Sequence, residues 1–339
     1  MRVQASATAS MNLPGSTLFS DDDRKRLPSA MRRVLFPLAL LIALLAVPAT
    51  GHAYTLGVSD QQASTFSNPL FDALKFRAAR YITPYDVMSS PADLAAAQAW
   101  ITSARAKNQR ILVHFERSHR SGRQRRLPSV AEYKREITKF HQAFPDVKEI
   151  GVWNEANRCQ SRTRVAGQPT CRKERRLASY FRAARQVFDA PGTKIVALDV
   201  LDEQNVGRTV ATIRRFKRFA GSRATILGFH NYSDTNRFST TRTRRVLAAW
   251  RGRVWLTETG GIVKLGRAFR TSTSRAARAL GCMFTLAKSN RRIQRVYVYQ
   301  FNPAHSPSDD FDAGLINRNG TKRPGYTVVE RKRARSCRR

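Results

Sequence analysis

From residue 54 onward the chain alternates between two patterns of apolar and polar positions. Short runs rich in Val, Ile and aromatic residues read as strands: 54–61 (YTLGVSDQ), 76–83 (FRAARYIT), 110–117 (RILVHFER), 149–156 (EIGVWNEA), 194–200 (KIVALDV), 224–232 (ATILGFHNY), 253–259 (RVWLTET) and 295–302 (RVYVYQFN). Longer stretches between them carry apolar residues at helical spacing. PADLAAAQAWITSARAKN has Pro91 at its start, a residue suited to a first helical turn. SVAEYKREITKFHQAF sets Ser129 three residues before Glu132, which predicts a capping box. ERRLASYFRAARQVFDA, VGRTVATIRRFKRFA, TRRVLAAW and STSRAARALGCMFTLAKS follow. A short helix is expected near NPLFDAL, after the first run.

Strands alternating with helices imply parallel pairing with helical crossovers. Eight such units in residues 54–330 fit a single (β/α)8 barrel, an α/β fold. The alternative is an open, doubly wound sheet. Against it, the first strand–helix loop, GVSDQQASTFSNP, has no glycine-rich phosphate turn. Polar residues also close many different runs: Asp60, Arg80, His114, Glu116, Asn154, Glu155, Asp199, His230, Asn231, Glu258, Gln300 and Asn302. A barrel gathers these tips around one mouth, whereas an open sheet scatters them.

Ahead of the barrel, residues 31–53 (MRRVLFPLALLIALLAVPATGHA) pair a basic start with an apolar core and an A-x-A-like end. That predicts a secretory signal cut after Ala53. A membrane anchor is the competing assignment, but Val34 to Val47 is short against the roughly 20 residues of a span. Residues 1–30 are polar and aperiodic, a disordered leader or a mis-called start upstream of Met31. A basic tail occupies 331–339.

The formal net charge is +37, and +34 remains once residues 1–53 are removed. A field of that size attracts polyanions, so association with an anionic cell envelope is expected. Specific nucleic-acid binding is not, since no zinc finger, RNA-binding aromatic signature or basic heptad is present. Four cysteines behind a secretory signal suggest disulfides, with three pairings open. The short loop between Cys159 and Cys171 favours a local bridge there, leaving Cys282 for Cys337. No C-x-x-C pair and no i, i+4 histidine pair occurs in the mature chain, so neither a metal nor another cofactor is expected.

The chemistry rests on two carboxylates. Glu155 and Glu258 each follow an apolar run, the fourth and the seventh, and barrel closure would set those tips across one mouth. Two carboxyl groups about 5–5.5 Å apart can cleave a glycoside with retention, one attacking the anomeric carbon while the other protonates the leaving oxygen. An ionised Glu258 would raise the pKa of Glu155 and keep it protonated for that task.

WNEAN on the fourth run and LTETGG on the seventh resemble the large clan of retaining glycoside hydrolases with (β/α)8 barrels. The resemblance covers nearly the whole mature chain. It implies Glu155 as general acid/base, Glu258 as nucleophile, and Asn154 as holder of the sugar 2-hydroxyl. It also implies that His230 and Tyr232 match the clan's strand-6 position, whose side chain hydrogen-bonds the nucleophile, and that Arg80 supports it. DAGLINRNGTKRPGY (312–326) matches the clan's approach to its last helix. The clan's tryptophan after strand 8 is replaced here by Tyr299, Gln300 and Phe301, and NEAN stands for the commoner NEP. The family within the clan is not resolved. His114 and Glu116 are further candidates for substrate contact, although Glu116 could instead neutralise an arginine. Trp153 and Trp255 are expected in the core, and His119 in an exposed loop.

The resulting expectation is a secreted, monomeric retaining glycosidase. It would cleave a β-linked polysaccharide or glycoconjugate by double displacement. Two alternatives belong to other classes: a non-catalytic carbohydrate-binding protein on the same barrel, and a polyanion-adhesion protein driven by charge. Transglycosylation stays open, because it shares the glycosyl-enzyme. Sugar, linkage and exo or endo action depend on the loops.

Overall fold

The computed structural model describes residues 54–159 and 167–338. The leader at 1–30 and the signal at 31–53 lie outside the described residues. Eight parallel strands close in chain order into a (β/α)8 barrel. They are β1 (Thr55–Ser59), β2 (Ala78–Pro84), β3 (Arg110–Glu116), β4 (Glu149–Gly151), β5 (Lys194–Leu201), β6 (Ile226–His230), β7 (Arg253–Thr259) and β8 (Ile293–Val298). β8 pairs with β1 to complete the ring. Outside run α1 (Pro91–Ala106), α2 (Val130–Ala143), α3 (Glu174–Val187), α4 (Val206–Ala220), α5 (Tyr232–Arg237), α6 (Thr241–Ala249), α7 (Thr273–Lys288) and α8 (Pro324–Glu330).

Three local expectations are modified. The helix expected near NPLFDAL is replaced by 3-10 turns at Ala63–Ser67 and Asp72–Leu74. Asn68 precedes Pro69, which disfavours helical backbone there, and its side chain instead accepts from the Leu70 amide. Ser129 caps α2 by accepting from Glu132 N at 3.0 Å. The reciprocal half of the box is missing, because the Glu132 carboxylate is taken by Tyr85, Arg123 and Arg126. The fourth run is strand only at Glu149–Gly151, and Trp153 to Glu155 lie beyond its end.

The main core lies between strands and helices. Trp153 is 1 % exposed there and stacks on Tyr180 at 5.7 Å. A smaller cluster fills the barrel interior: Ala78, Leu112, Val196, Ile226, Trp255 and Tyr297. Beneath it, at the N-terminal end of the strands, Arg295 pairs with Glu149 and covers the Trp255 ring at 4.2 Å. Glu149 is therefore a structural carboxylate at the closed end. Disulfides join Cys159 to Cys171 and Cys282 to Cys337, with Cα atoms 5.0 and 4.8 Å apart. The second holds the basic tail on α7, where Arg335 N also donates to Gly281 O. No helix among the described residues is long and apolar enough to cross a membrane.

Candidate active site

Strand alternation carries the interior residues upward to the polar site, since residues two apart on a strand share a face. Above Ala78 stands Arg80, and above Leu112 stands His114. Two strands break the parity. β5 shifts register between Val196 and Leu198, which turns Asp199 inward, and β6–β7 shifts between Gly228 and His230, opposite Glu258. Two glycines make room. A Cβ on Gly151 would sit 1.9 Å from His114 Cδ2, and one on Gly228 would sit 2.4 Å from Asp199 Oδ1. Any larger residue would displace those side chains.

Arg80, completely buried, is the hub. Its Nε donates to His114 Nδ1 at 2.9 Å. One terminal nitrogen donates to Ser59 Oγ and to Glu258 Oε1 at 2.6 Å, the other to Asn154 Oδ1 at 2.7 Å and Asp199 Oδ2 at 3.0 Å. Tyr232 donates to the second oxygen of Glu258 at 3.2 Å. Thr257 donates to Asp199 Oδ1 at 2.7 Å. His114 Nε2 lies 3.2 Å from Asp199 but out of line for a hydrogen bond.

Glu155 reaches this cluster by a turn, not as a strand tip. Asn154 N donates to Phe115 O and Ala156 N to Asp199 O, so the backbone is held on both sides. Between them Glu155 adopts φ 43°, a left-handed conformation unusual for a residue with a Cβ. Such strain persists only where surrounding contacts impose it. An oxygen of Glu155, an oxygen of Glu258 and a ring nitrogen of His230 all lie within 4.8 Å of one another. His230 Nδ1 is 3.2 Å from Glu155 and 3.5 Å from Glu258, while its Nε2 is 3.2 Å from Asp199.

Burial alone would strip the proton from His230, but Asp199 and Glu258 outweigh it and hold the imidazolium up to about 10. His114 goes the other way: burial and the adjacent Arg80 push it well below the ordinary range, so it is neutral and accepts from Arg80. Burial raises Asp199, yet the neighbouring His230 more than reverses this and holds it ionised. Glu155 contradicts its expected shift. Burial raises it, but the His230 hydrogen bond and the Arg158 charge outweigh that and set it below its ordinary value. The expectation counted only Glu258. It missed Arg158, whose guanidinium sits 2.7 Å from Glu155 Oε2.

The other candidates divide. His114 has no exposed surface and cannot touch substrate; it positions Arg80. Glu116 sits with His119 and Gln168, and His119, in an exposed loop as expected, bridges Asp93 and Glu116. Tyr299 is half-buried beside Phe311, with ring centroids 5.8 Å apart, and Gln300 is half-buried next to it. Asn154 Oδ1 accepts from Arg80. Arg158, Ser59 and Thr257 were not among the sequence candidates. Ser59 and Thr257 carry no distinguishing signal in sequence; Arg158, three residues after Glu155, could have been found by its spacing alone. A divalent cation among Glu155, His230 and Glu258 would face the guanidiniums of Arg80 and Arg158 and the His230 imidazolium, a set that suits no metal.

No family model and no curated protein matches the chain. Solved structures do. A psychrophilic family 10 endo-β-1,4-xylanase aligns at 13 % identity over 82 % of this chain and 96 % of its own, with a TM-score of 0.59. A structure of fungal β-1,4-galactanases aligns at 12 % identity over 83 % and 99 %, with a TM-score of 0.61. GH5_18 from Streptomyces cattleya, solved with GlcNAc, aligns at 16 % identity over 83 % and 80 %, with a TM-score of 0.59. The chain thus shares the (β/α)8 fold on which these glycoside hydrolases are built.

Proposed function

We propose that the protein is a secreted retaining glycoside hydrolase, with Glu258 as nucleophile and Glu155 as acid/base. The observation that carries this is the convergence of the two carboxylates within 4.8 Å at the barrel mouth. That spacing suits retention; inverting enzymes separate their carboxyl groups by about 6.5–9.5 Å to admit a water. Arg80 and Tyr232 hold the two oxygens of Glu258, so one lone pair is aimed while the charge is stabilised. Glu258 attacks the anomeric carbon as the bond to the leaving oxygen breaks, and Glu155 gives that oxygen its proton. Water then attacks the ester with Glu155 as base. A β-linked polysaccharide or glycoconjugate is the substrate class, by likeness to the xylanase and galactanase folds. Digestion of a polysaccharide panel by wild type and Glu258→Gln in parallel tests this. Products are expected from wild type only; no cleavage of any glycan by wild type would overturn it in favour of a binding protein.

Charge-driven association with an anionic envelope is supported by a groove of about 910 Å³ between α4 and α6, lined by Arg214, Arg215, Lys217, Arg218, Arg245 and Arg251. Val210, Ala211, Ala248 and Ala249 complete the apolar part of its lining. Retention on an anionic polymer column is expected at low salt, with steep loss as salt rises, and charge reversal at Arg214, Arg218 and Arg245 should weaken it without affecting turnover of a soluble glycoside. Unchanged retention in that variant would locate the affinity elsewhere.

A further inference from the structure

Arg158 adds a cation to a site that is already balanced. Arg80 and His230 face Asp199 and Glu258. Among the described residues, Arg158 pairs with Glu155 alone. With Glu155 ionised the cluster is neutral, but an acid catalyst must begin protonated. In that working state the guanidinium of Arg158 has no counter-charge. Its backbone is also held in place. Arg158 N donates to Glu155 O, Arg158 O accepts from Gln168 N at 2.7 Å, and the next residue is bridged to Cys171. Its side chain is 15 % exposed, and its buried Nε has no hydrogen-bond partner.

We infer that Arg158 receives an anionic group on the substrate, a uronate carboxylate or a sulfate, and that this contact releases Glu155 to take up its proton. The inference rests on the glycosidase assignment and names its substrate class. A guanidinium offers a fixed fork that matches a carboxylate or sulfate edge. Once Arg158 turns to the incoming anion, Glu155 keeps its hydrogen bond to His230 and the repulsion of Asp199, and loses its nearest cation. The remaining charged or titratable neighbours, Arg80, Glu258, Tyr232 and Tyr299, are unchanged by that exchange. A neutral sugar leaves Arg158 on Glu155, so the acid is available only at lower pH.

The test uses phenyl glycosides, whose poor leaving group needs the acid, in matched neutral, uronide and sulfated forms. For wild type, kcat/KM at pH 6 should favour an anionic form by about tenfold or more. Its kcat should also hold to a pH about one unit higher than for the neutral form, since kcat reports the acid in the bound complex. In Arg158→Met the preference should vanish and the basic limbs of both substrates should coincide at the higher pH. Arg158→Lys should keep part of the preference as a point charge. Preference for either anionic arm supports the inference and tells carboxylate from sulfate. Equal turnover of neutral and anionic forms with superimposed profiles overturns it while leaving a glycosidase. A preference that survives in Arg158→Met also overturns it. Turnover of no member removes the glycosidase assignment and this inference with it.

Discussion

Turnover by Glu258→Ala is expected to fall by about 10⁴-fold or more, roughly 5.4 kcal/mol in the barrier. No side chain is left on that face to form the glycosyl ester. The pocket that remains is still built for an anion, because Arg80 and Tyr232 keep the donors that held the two carboxylate oxygens. Azide or formate should therefore enter it and restore part of the rate by direct attack on the anomeric carbon. The bond to the leaving oxygen breaks as the bond to azide forms, and Glu155 still supplies the proton, so the glycosyl azide has inverted configuration. The measurement is rate against azide concentration, with the product anomer read by NMR. Substantial unassisted turnover would remove Glu258 from the nucleophile role.

Glu155→Ala should depend on the leaving group. Attack by Glu258 needs acid help only when the departing oxygen is a poor leaving group. Activated aryl glycosides should still form the intermediate in a burst, while phenyl glycosides and natural glycans slow by about 10²–10⁴-fold. The second step then lacks its base and becomes limiting. Azide, drawn toward Arg158 and His230 once their carboxylate partner is gone, should speed that step and give a glycosyl azide of retained configuration. Equal slowing on good and poor leaving groups, with no azide response, would mean that Glu155 has another task. The strained backbone at that residue would then need a different explanation.

Much of this was legible in the chain. Each of the eight apolar runs holds a barrel strand, because burial on both faces demands continuous Val, Ile and aromatic stretches. The carboxylates that converge are the ones singled out by their place after the fourth and seventh runs. The bridge between Cys159 and Cys171 followed from the shortness of its loop, and the other pair from what remained. Arg80 was a candidate, but its hold on five partners at once was not readable, since those partners come from β1, β3, β5, β7 and the turn after β4.

The misses share one cause. Glu155 reads as a strand end, yet pairing stops at Gly151, and the turn beyond it is shaped by Phe115 and Asp199 from neighbouring strands. Asp199 turns inward through a register shift that alternation does not foresee. The sign of the Glu155 shift was set by Arg158 and a protonated His230, charges whose distances exist only after the barrel closes. Hydrophobic period is a local property, so the sequence alone determined the strands, most of the helices, the ring they close into and which carboxylates stand at its mouth. Coulomb energies vary with separation and desolvation, and both are set by residues distant in the chain, so only the tertiary structure decided which groups carry protons and where Arg158 sits.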